Sequence, residues 1–244
     1  MTDPNTTDLV KISEANGIME IVWNRPDKKN ALSNAMYRAA TAALARAVED
    51  KSIRVVLLAS EGDSFTSGND LADFAAASMG GEAPAAHGFI EAIIQFPKPI
   101  VAAVPGLAVG VGTTMLLHCD LVYVASDAKL TTPFVNLALV PEAASSVLLP
   151  ARIGHARSFA MFALGDALTG EQAAQLGLAN AALPKDMVLK AAREAAAKLA
   201  QRPIGAVMAA KKLMRDSEKI LAQSRTESAI FGERLRSAEA MEAF

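Results

Sequence analysis

Residues 99–117 read PIVAAVPGLAVGVGTTMLL, nineteen positions without one charge. Such a run is long enough to be a membrane-span candidate. Pro105-Gly106 interrupts it, however, and Gly110, Gly112, Thr113 and Thr114 follow. A buried strand over Ile100 to Val104, a turn and a buried glycine-bearing helix fit this pattern better. A second apolar strand, Leu121 to Ala125, comes next. Strand, helix, strand in this order favours a parallel sheet with right-handed crossovers.

On the N-terminal side, Leu9 to Ile12 and Gly17 to Asn24 read as strands of a hairpin turning at Asn16-Gly17. Arg25-Pro26-Asp27 ends the second strand. Ser33 can cap a helix in which Met36, Ala40, Leu44 and Val48 repeat on one face. Ile53 to Ala59 reads as a buried strand, Glu61 to Gly68 as a loop, and Asp70 as the cap of a short helix from Leu71. Residues 78–88 resemble a mobile connection into a helix ending at Phe96. After Pro150 the pattern predicts helices only: Ala156 to Leu164, Thr169 to Leu176, Lys185 to Ala200, Pro203 to Arg215, and another from about Glu218. The fold class is α/β, an α/β core carrying a helical C-terminal layer.

Composition narrows the functional classes. The 244 residues are 52% hydrophobic and 20% charged, ample material for one large core. Twenty-four basic against 26 acidic residues give a net charge of −2, which predicts neither a nucleic-acid groove nor an anionic membrane surface as partner. The N-terminal segment lacks an apolar core behind a basic start, so no secretory signal is expected, and the single Cys119 fits a reducing, cytoplasmic setting.

Several common sites lack support. Gly110-Val111-Gly112 begins like a dinucleotide fingerprint, but Met115 stands where its third glycine belongs. His87, His118 and His155 are dispersed and make no metal-ligand motif. His118-Cys119 reads as a packed position, and Ser145-Ser146 lacks the glycines of a nucleophile elbow. Two small-residue turns remain, Ser67-Gly68-Asn69-Asp70 and Ala108 to Gly112, each leading into a helix start with unused backbone N–H groups. Two such donors converging would stabilise an oxyanion; glycines that merely permit close packing are the simpler reading. The second charge-poor stretch, residues 130–151, holds one ionisable side chain, Glu142. Buried among Phe134, Val135, Leu137, Leu139 and Val140, it would be a general base near neutral pH. Following Pro141, it could equally sit in a first helical turn facing water.

Taken in order, Asn24-Arg25-Pro26 with Asn30-Ala31-Leu32, Ser67-Gly68-Asn69-Asp70-Leu71, Lys98-Pro99, Ala102 to Gly106, Gly110-Val111-Gly112 and Cys119-Asp120 resemble the crotonase (enoyl-CoA hydratase/isomerase) superfamily. The resemblance spans nearly the whole chain. It implies a spiral of ββα units over residues 1–190 and a helical region over 191–244 that builds homotrimers, often paired into hexamers. It also implies an acyl-CoA thioester substrate, with coenzyme A as part of the substrate and no separate cofactor or metal. The backbone N–H groups of Asn69 and Val111 would hold the thioester oxygen, at positions where the family usually has alanine and glycine. The CoA nucleotide would lie against Lys28, Asn30 and Ala31, with Ser67 and Leu71 nearby, and Asp70, Val109 and Phe134 would join them in binding the substrate.

Hydratases of this superfamily use two glutamates, and at those positions this chain has Thr114 and Phe134. By contrast, Thr132-Pro133-Phe134 and Pro141-Glu142-Ala143-Ala144-Ser145-Ser146 resemble the Δ3,Δ2-enoyl-CoA isomerase subgroup, whose single catalytic glutamate falls on Glu142. The resemblance therefore implies a shift of the 3-enoyl double bond to the 2-trans position. Water addition to 2-enoyl-CoA and acyl-CoA binding without turnover are the alternatives. RNA-binding members rely on basic helices, whereas here Lys211-Lys212 and Arg234 with Arg236 read as solvated helix faces.

Overall fold

The computed structural model describes residues 7–70, 72–73 and 84–243. Leu71 and most of the expected 78–88 connection lie outside the described residues. The hairpin forms as Asn16-Gly17 predicts: β1 (Val10–Ala15) and β2 (Ile18–Trp23) pair antiparallel, with both turn residues at positive φ. Beyond β2, β3 (Val55–Ser60), β5 (Ile100–Val104), β7 (Leu121–Ala125) and β10 (Ala181–Leu183) add in parallel, giving a six-stranded sheet in the order β1-β2-β3-β5-β7-β10. Every residue of β5 is buried, as expected of a parallel strand covered on both faces.

A smaller sheet stands beside it. Its strands β4 (Ser64–Thr66), β6 (Leu107–Val109), β8 (Lys129–Thr131) and β9 (Ala167–Thr169) lie in that order, with β8 and β9 antiparallel. Residues beyond Pro150 are thus not helical only, since β9 and β10 both follow it. Three residues carry no readable alternation, and these strands exist through their partners, β8 and β7. β6 was hidden in the charge-free run for the same reason.

Helix α1 (Asn34–Glu49) begins where Ser33 accepts from the Met36 N–H at 3.4 Å. Met36, Ala40 and Leu44 are buried but Val48 is 40% exposed. Each four-residue step overshoots a helical turn by about 40°, so by the last turn Ala47 has taken the inner face. α1 packs on α2 (Ala86–Gln95) and on β1 and β2, while α7 (Lys185–Ala200) covers the large sheet with Val188, Ala192 and Ala196. Between them lie α3 (Val111–Thr114), α4 (Ser145–Ile153), α5 (His155–Phe159) with a π-helical continuation over Ala160–Leu164, and α6 (Gly170–Gln175). The chain closes with α8 (Ile204–Met214), α9 (Ser217–Leu235) and α10 (Ala238–Ala243). Lys211 is not the solvated residue its sequence suggested: its ammonium is bound by Asp120 at 2.8 Å and by the Lys98 carbonyl. Among the described residues no helix is long and apolar enough to cross a membrane.

Candidate active site

Both glycine-bearing turns face one apolar cavity that is open to solvent. Ser67, Gly68 and Asn69 line it from one turn and Val109, Gly110 and Val111 from the other, with Pro133, Phe134, Leu137, Leu139 and Phe231 completing the walls. In each turn a left-handed glycine, Gly68 at φ 95° or Gly110 at φ 56°, precedes the residue whose N–H was singled out. A Cβ at Gly110 would contact only the Phe134 ring, so it is the backbone angle that demands glycine there. Among the described residues, neither the Asn69 nor the Val111 N–H donates a hydrogen bond within the chain. The second turn is locked otherwise: Gly110 N–H donates to Thr131, and the Thr113 hydroxyl reaches the Ala108 carbonyl at 2.8 Å.

Glu142 does not face water. It is 8% exposed, lies ahead of α4 rather than in its first turn, and accepts a hydrogen bond from the Thr114 hydroxyl. It is not itself part of the cavity lining; Thr114 holds it one turn beyond Val111. Burial pushes its carboxyl up to about 7, the Thr114 bond opposes that rise, and the negative charge of Glu227 adds to it. Thr114 therefore does hold this carboxylate, while Phe134 lines the cavity and packs against Phe162 with ring centroids 6.1 Å apart.

The remaining candidates separate into two groups. Ser67, Val109 and Phe134 line the cavity, whereas Lys28, Asn30, Ala31 and Asp70 lie in the adjoining segment. That segment is stitched to the first turn: Ser67 N–H donates to Lys29, Leu32 N–H to Gly68, and Asp70 N–H to Leu32. Lys28 is exposed there. Asn30 is wholly buried, its amide donating to the Glu61 and Ser64 carbonyls while its oxygen accepts from Arg25 N–H. Its side chain builds the turn and has no group left for a ligand. Asp70 caps the Ala72 N–H and pairs with Arg25, whose charge holds its carboxyl below the usual range against the opposing effect of burial.

Four residues at this site were not among the site candidates, and of them only His118 was read from the sequence, as the packed position it proves to be. Tyr37, on α1, donates its hydroxyl to the Asn69 side-chain oxygen, and burial, then the charge of Glu142, raises its pKa. His118 bonds the Ala143 carbonyl at 2.8 Å through Nε2 and meets the Arg215 guanidinium at Nδ1. That guanidinium can only donate, so Nε2 carries the proton; burial, then Arg215, pushes the ring's pKa down to about 3. Glu227 and Phe231 come from α9, in the buried stripe Leu221, Ser224, Glu227, Phe231. Its spacing of three, three and four is the pattern that exposes a glutamate on an inner face. Among the described residues no three His, Cys, Asp or Glu side chains gather as a metal site.

Known proteins are similar to this chain in sequence and fold. The sequence model of the family described as enoyl-CoA hydratase/isomerase matches residues 13–244. Enoyl-CoA delta isomerase 2 of Rattus norvegicus is 35% identical over 216 residues, 86% of this chain and 55% of its own length. The human enzyme of that name is covered to 57%, so the chain spans little more than half of these two relatives. The 2,3-dehydroadipyl-CoA hydratase of Escherichia coli is 31% identical, with 87% of this chain and 84% of that protein covered. Among solved structures, Pseudomonas aeruginosa OdaA superposes with a TM-score of 0.92 at 45% identity, covering 97% of both chains. An enoyl-CoA hydratase/isomerase from Pseudoalteromonas atlantica reaches the same TM-score at 39% identity over 97% of this chain and 95% of its own. With the paired glycine turns, the apolar cavity and the buried carboxylate, these likenesses place the chain, a crotonase-type α/β fold, in the enoyl-CoA hydratase/isomerase family.

Proposed function

We propose that the protein moves the double bond of a 3-enoyl-CoA to the 2-trans position, with Glu142 as its single base. The observation that carries this reading is the buried Glu142 carboxyl, poised near pH 7 and held by the Thr114 hydroxyl. A carboxyl with that proton affinity can both take and return a proton at neutral pH.

In this reading the thioester carbonyl lies between the N–H groups of Asn69 and Val111. Glu142 removes a proton from C2; the electron pair left behind spreads onto the thioester oxygen, where the two donors stabilise it. The enolate then collapses with the double bond between C2 and C3, and the same carboxyl returns its proton to C4. Atoms and charge balance with one group, and the Phe134, Leu139 and Phe231 walls keep water from the intermediate. The CoA portion runs past Ser67 toward Lys28 and Ala31. The reaction calls for no further cofactor. Exposed Leu213 and Met214 at the end of α8 support assembly into homotrimers or hexamers, and a cytoplasmic setting fits the lone buried cysteine.

Water addition to 2-enoyl-CoA is the second reading, favoured by the hydratase name of a relative that matches along 84% of its length. Offering purified protein 3-enoyl-CoA and 2-enoyl-CoA separately decides between them. Isomerisation of the first without loss of conjugation in the second is expected; rapid hydration of the second would overturn the isomerase as sole activity. Glu142→Gln should lower turnover by about 10³-fold while CoA binding persists. Retention of most turnover would remove Glu142 from the base's role.

A further inference from the structure

The C-terminal helix α9 reaches the site with three residues at four-residue spacing. Phe231 lines the cavity, and Glu227, 4% exposed, accepts hydrogen bonds from both the N–H and the hydroxyl of Ser146, the N–H at 3.0 Å. Gln223 donates to the same hydroxyl at 3.0 Å. Ser146 directly follows a turn from Glu142 to Ser145, closed by the Ser145 N–H on the Glu142 carbonyl, and both alanines inside it, Ala143 and Ala144, are left-handed at φ 57°. Non-glycine residues occupy that conformation only where their surroundings impose it. The other oxygen of Glu227, Oε2, is buried with no partner at hydrogen-bond distance, and the Ala144 N–H of the same turn is near enough to favour the charged carboxyl. A helix-capping role would need only one carboxylate oxygen and could be filled by an uncharged side chain. Glu227 instead brings a second buried ionisable carboxyl.

We infer that Glu227 is a positioning residue for the reaction proposed above: it clamps the turn that carries Glu142 and sets a negative charge behind the base, so that the site is complete only with α9 docked. The charge acts on Glu142 because the other groups nearby are neutral or paired. Tyr37 and the ring of His118, the buried titratable groups beside the turn, are uncharged at neutral pH, and Arg215 is engaged by His118. On the elements packed against α9, Glu91 of α2 is bound to Arg225 and Glu239 of α10 to Arg234. His87 of α2, Arg152 of α4 and Glu242 of α10 are exposed, as are Glu218, Lys219 and Glu233 of α9 itself. Burial favours the protonated form of Glu227 as well, so the two carboxyls titrate as a pair.

The test is a pH titration of Glu227→Gln, which keeps an oxygen for Ser146 and removes the charge. The protonated-carboxyl infrared band of Glu142, assigned by its loss in Glu142→Gln, should titrate about half a pH unit lower, equivalent to about threefold in proton affinity. The acid limb of kcat/KM for 3-enoyl-CoA should move with it. Ser146→Ala, which removes one of the two Ser146 bonds to Glu227 and with it part of the support for that charge, should lower kcat about threefold with KM unchanged. Parental titration in Glu227→Gln, or parental kcat in Ser146→Ala, overturns the inference. The infrared titration needs no turnover, so loss of the isomerase reading in the substrate assay and loss of this inference are separate results.

Discussion

The two charge-poor stretches are opposites in how they hold their shape. Residues 99–117 are built of β5, β6 and α3, and the buried polar groups of Thr113 and Thr114 are bonded within this stretch, to residues 130–131 or to Glu142. Residues 130–151 are largely irregular between β8 and α4, with Ala138, Ala143 and Ala144 all left-handed. Side chains from elsewhere hold this backbone: Arg234 donates to the Ala138 carbonyl at 3.1 Å, His118 to Ala143, and Glu227 accepts from Ser146. One stretch is a scaffold, and the other is shaped by what surrounds it. Glu142, the proposed base, sits on the second.

The largest effect that tests this contrast is at Glu142. Besides the loss of turnover, Glu142→Gln should alter stability with a definite sign. The carboxyl titrates near 4.5 when unfolded and about 7 when folded, so the native state loses stability as pH rises through that window. The Gln variant lacks that loss and should be about 3 kcal/mol more stable at pH 8 and no more stable at pH 4. Denaturant melts at the two pH values check it; equal differences at both would contradict the burial of the charge.

On the scaffold side, Gly110→Ala puts a side chain on a residue at φ 56° and ψ −117°. Relaxing that angle moves the Val111 N–H, and turnover should fall about 10²-fold with the fold intact, as on losing one oxyanion donor. Near-parental kcat would show that this N–H is not used. His118→Ala removes an external tie on the other stretch and leaves the Ala143 carbonyl unpaired. A tenfold lower kcat and about 1–3 kcal/mol of destabilisation are expected. Native His118 resists protonation down to about 3, so its contribution is present above pH 6.5 and is lost as pH falls below it. Acid melts of the Ala variant should therefore be less pH-dependent between 6.5 and 3.

The smallest effect is the sharpest on the comparison itself. Ala144→Gly should stabilise the protein by about 0.5–1 kcal/mol, because glycine accepts a left-handed angle that alanine resists. The same exchange at Ala103, inside β5, should destabilise by at least as much. Thermal melts of the two variants moving in the same direction would erase the distinction.

This asymmetry explains what the sequence disclosed. Ile100–Val104 and Leu121–Ala125 were readable to the residue because apolar runs and flanking turns are local signals. The dryness around Glu142 was readable because charge is counted locally. What hid was non-local: three-residue strands that exist only through partners, the Tyr37 hydroxyl on Asn69, and a carboxylate from α9 more than eighty residues away. Asn30, read as a ligand contact, proved to be a structural knot because its three bonds go to residues 25, 61 and 64.

The bond between Tyr37 and Asn69 makes two distant positions a single heritable unit. Asparagine at 69 stands where alanine would serve the backbone donor equally well, yet reverting it alone would strand a buried phenol without an acceptor. A neutral path to alanine at 69 therefore runs through phenylalanine at 37, and any lineage that changed one first would have carried a temporary handicap.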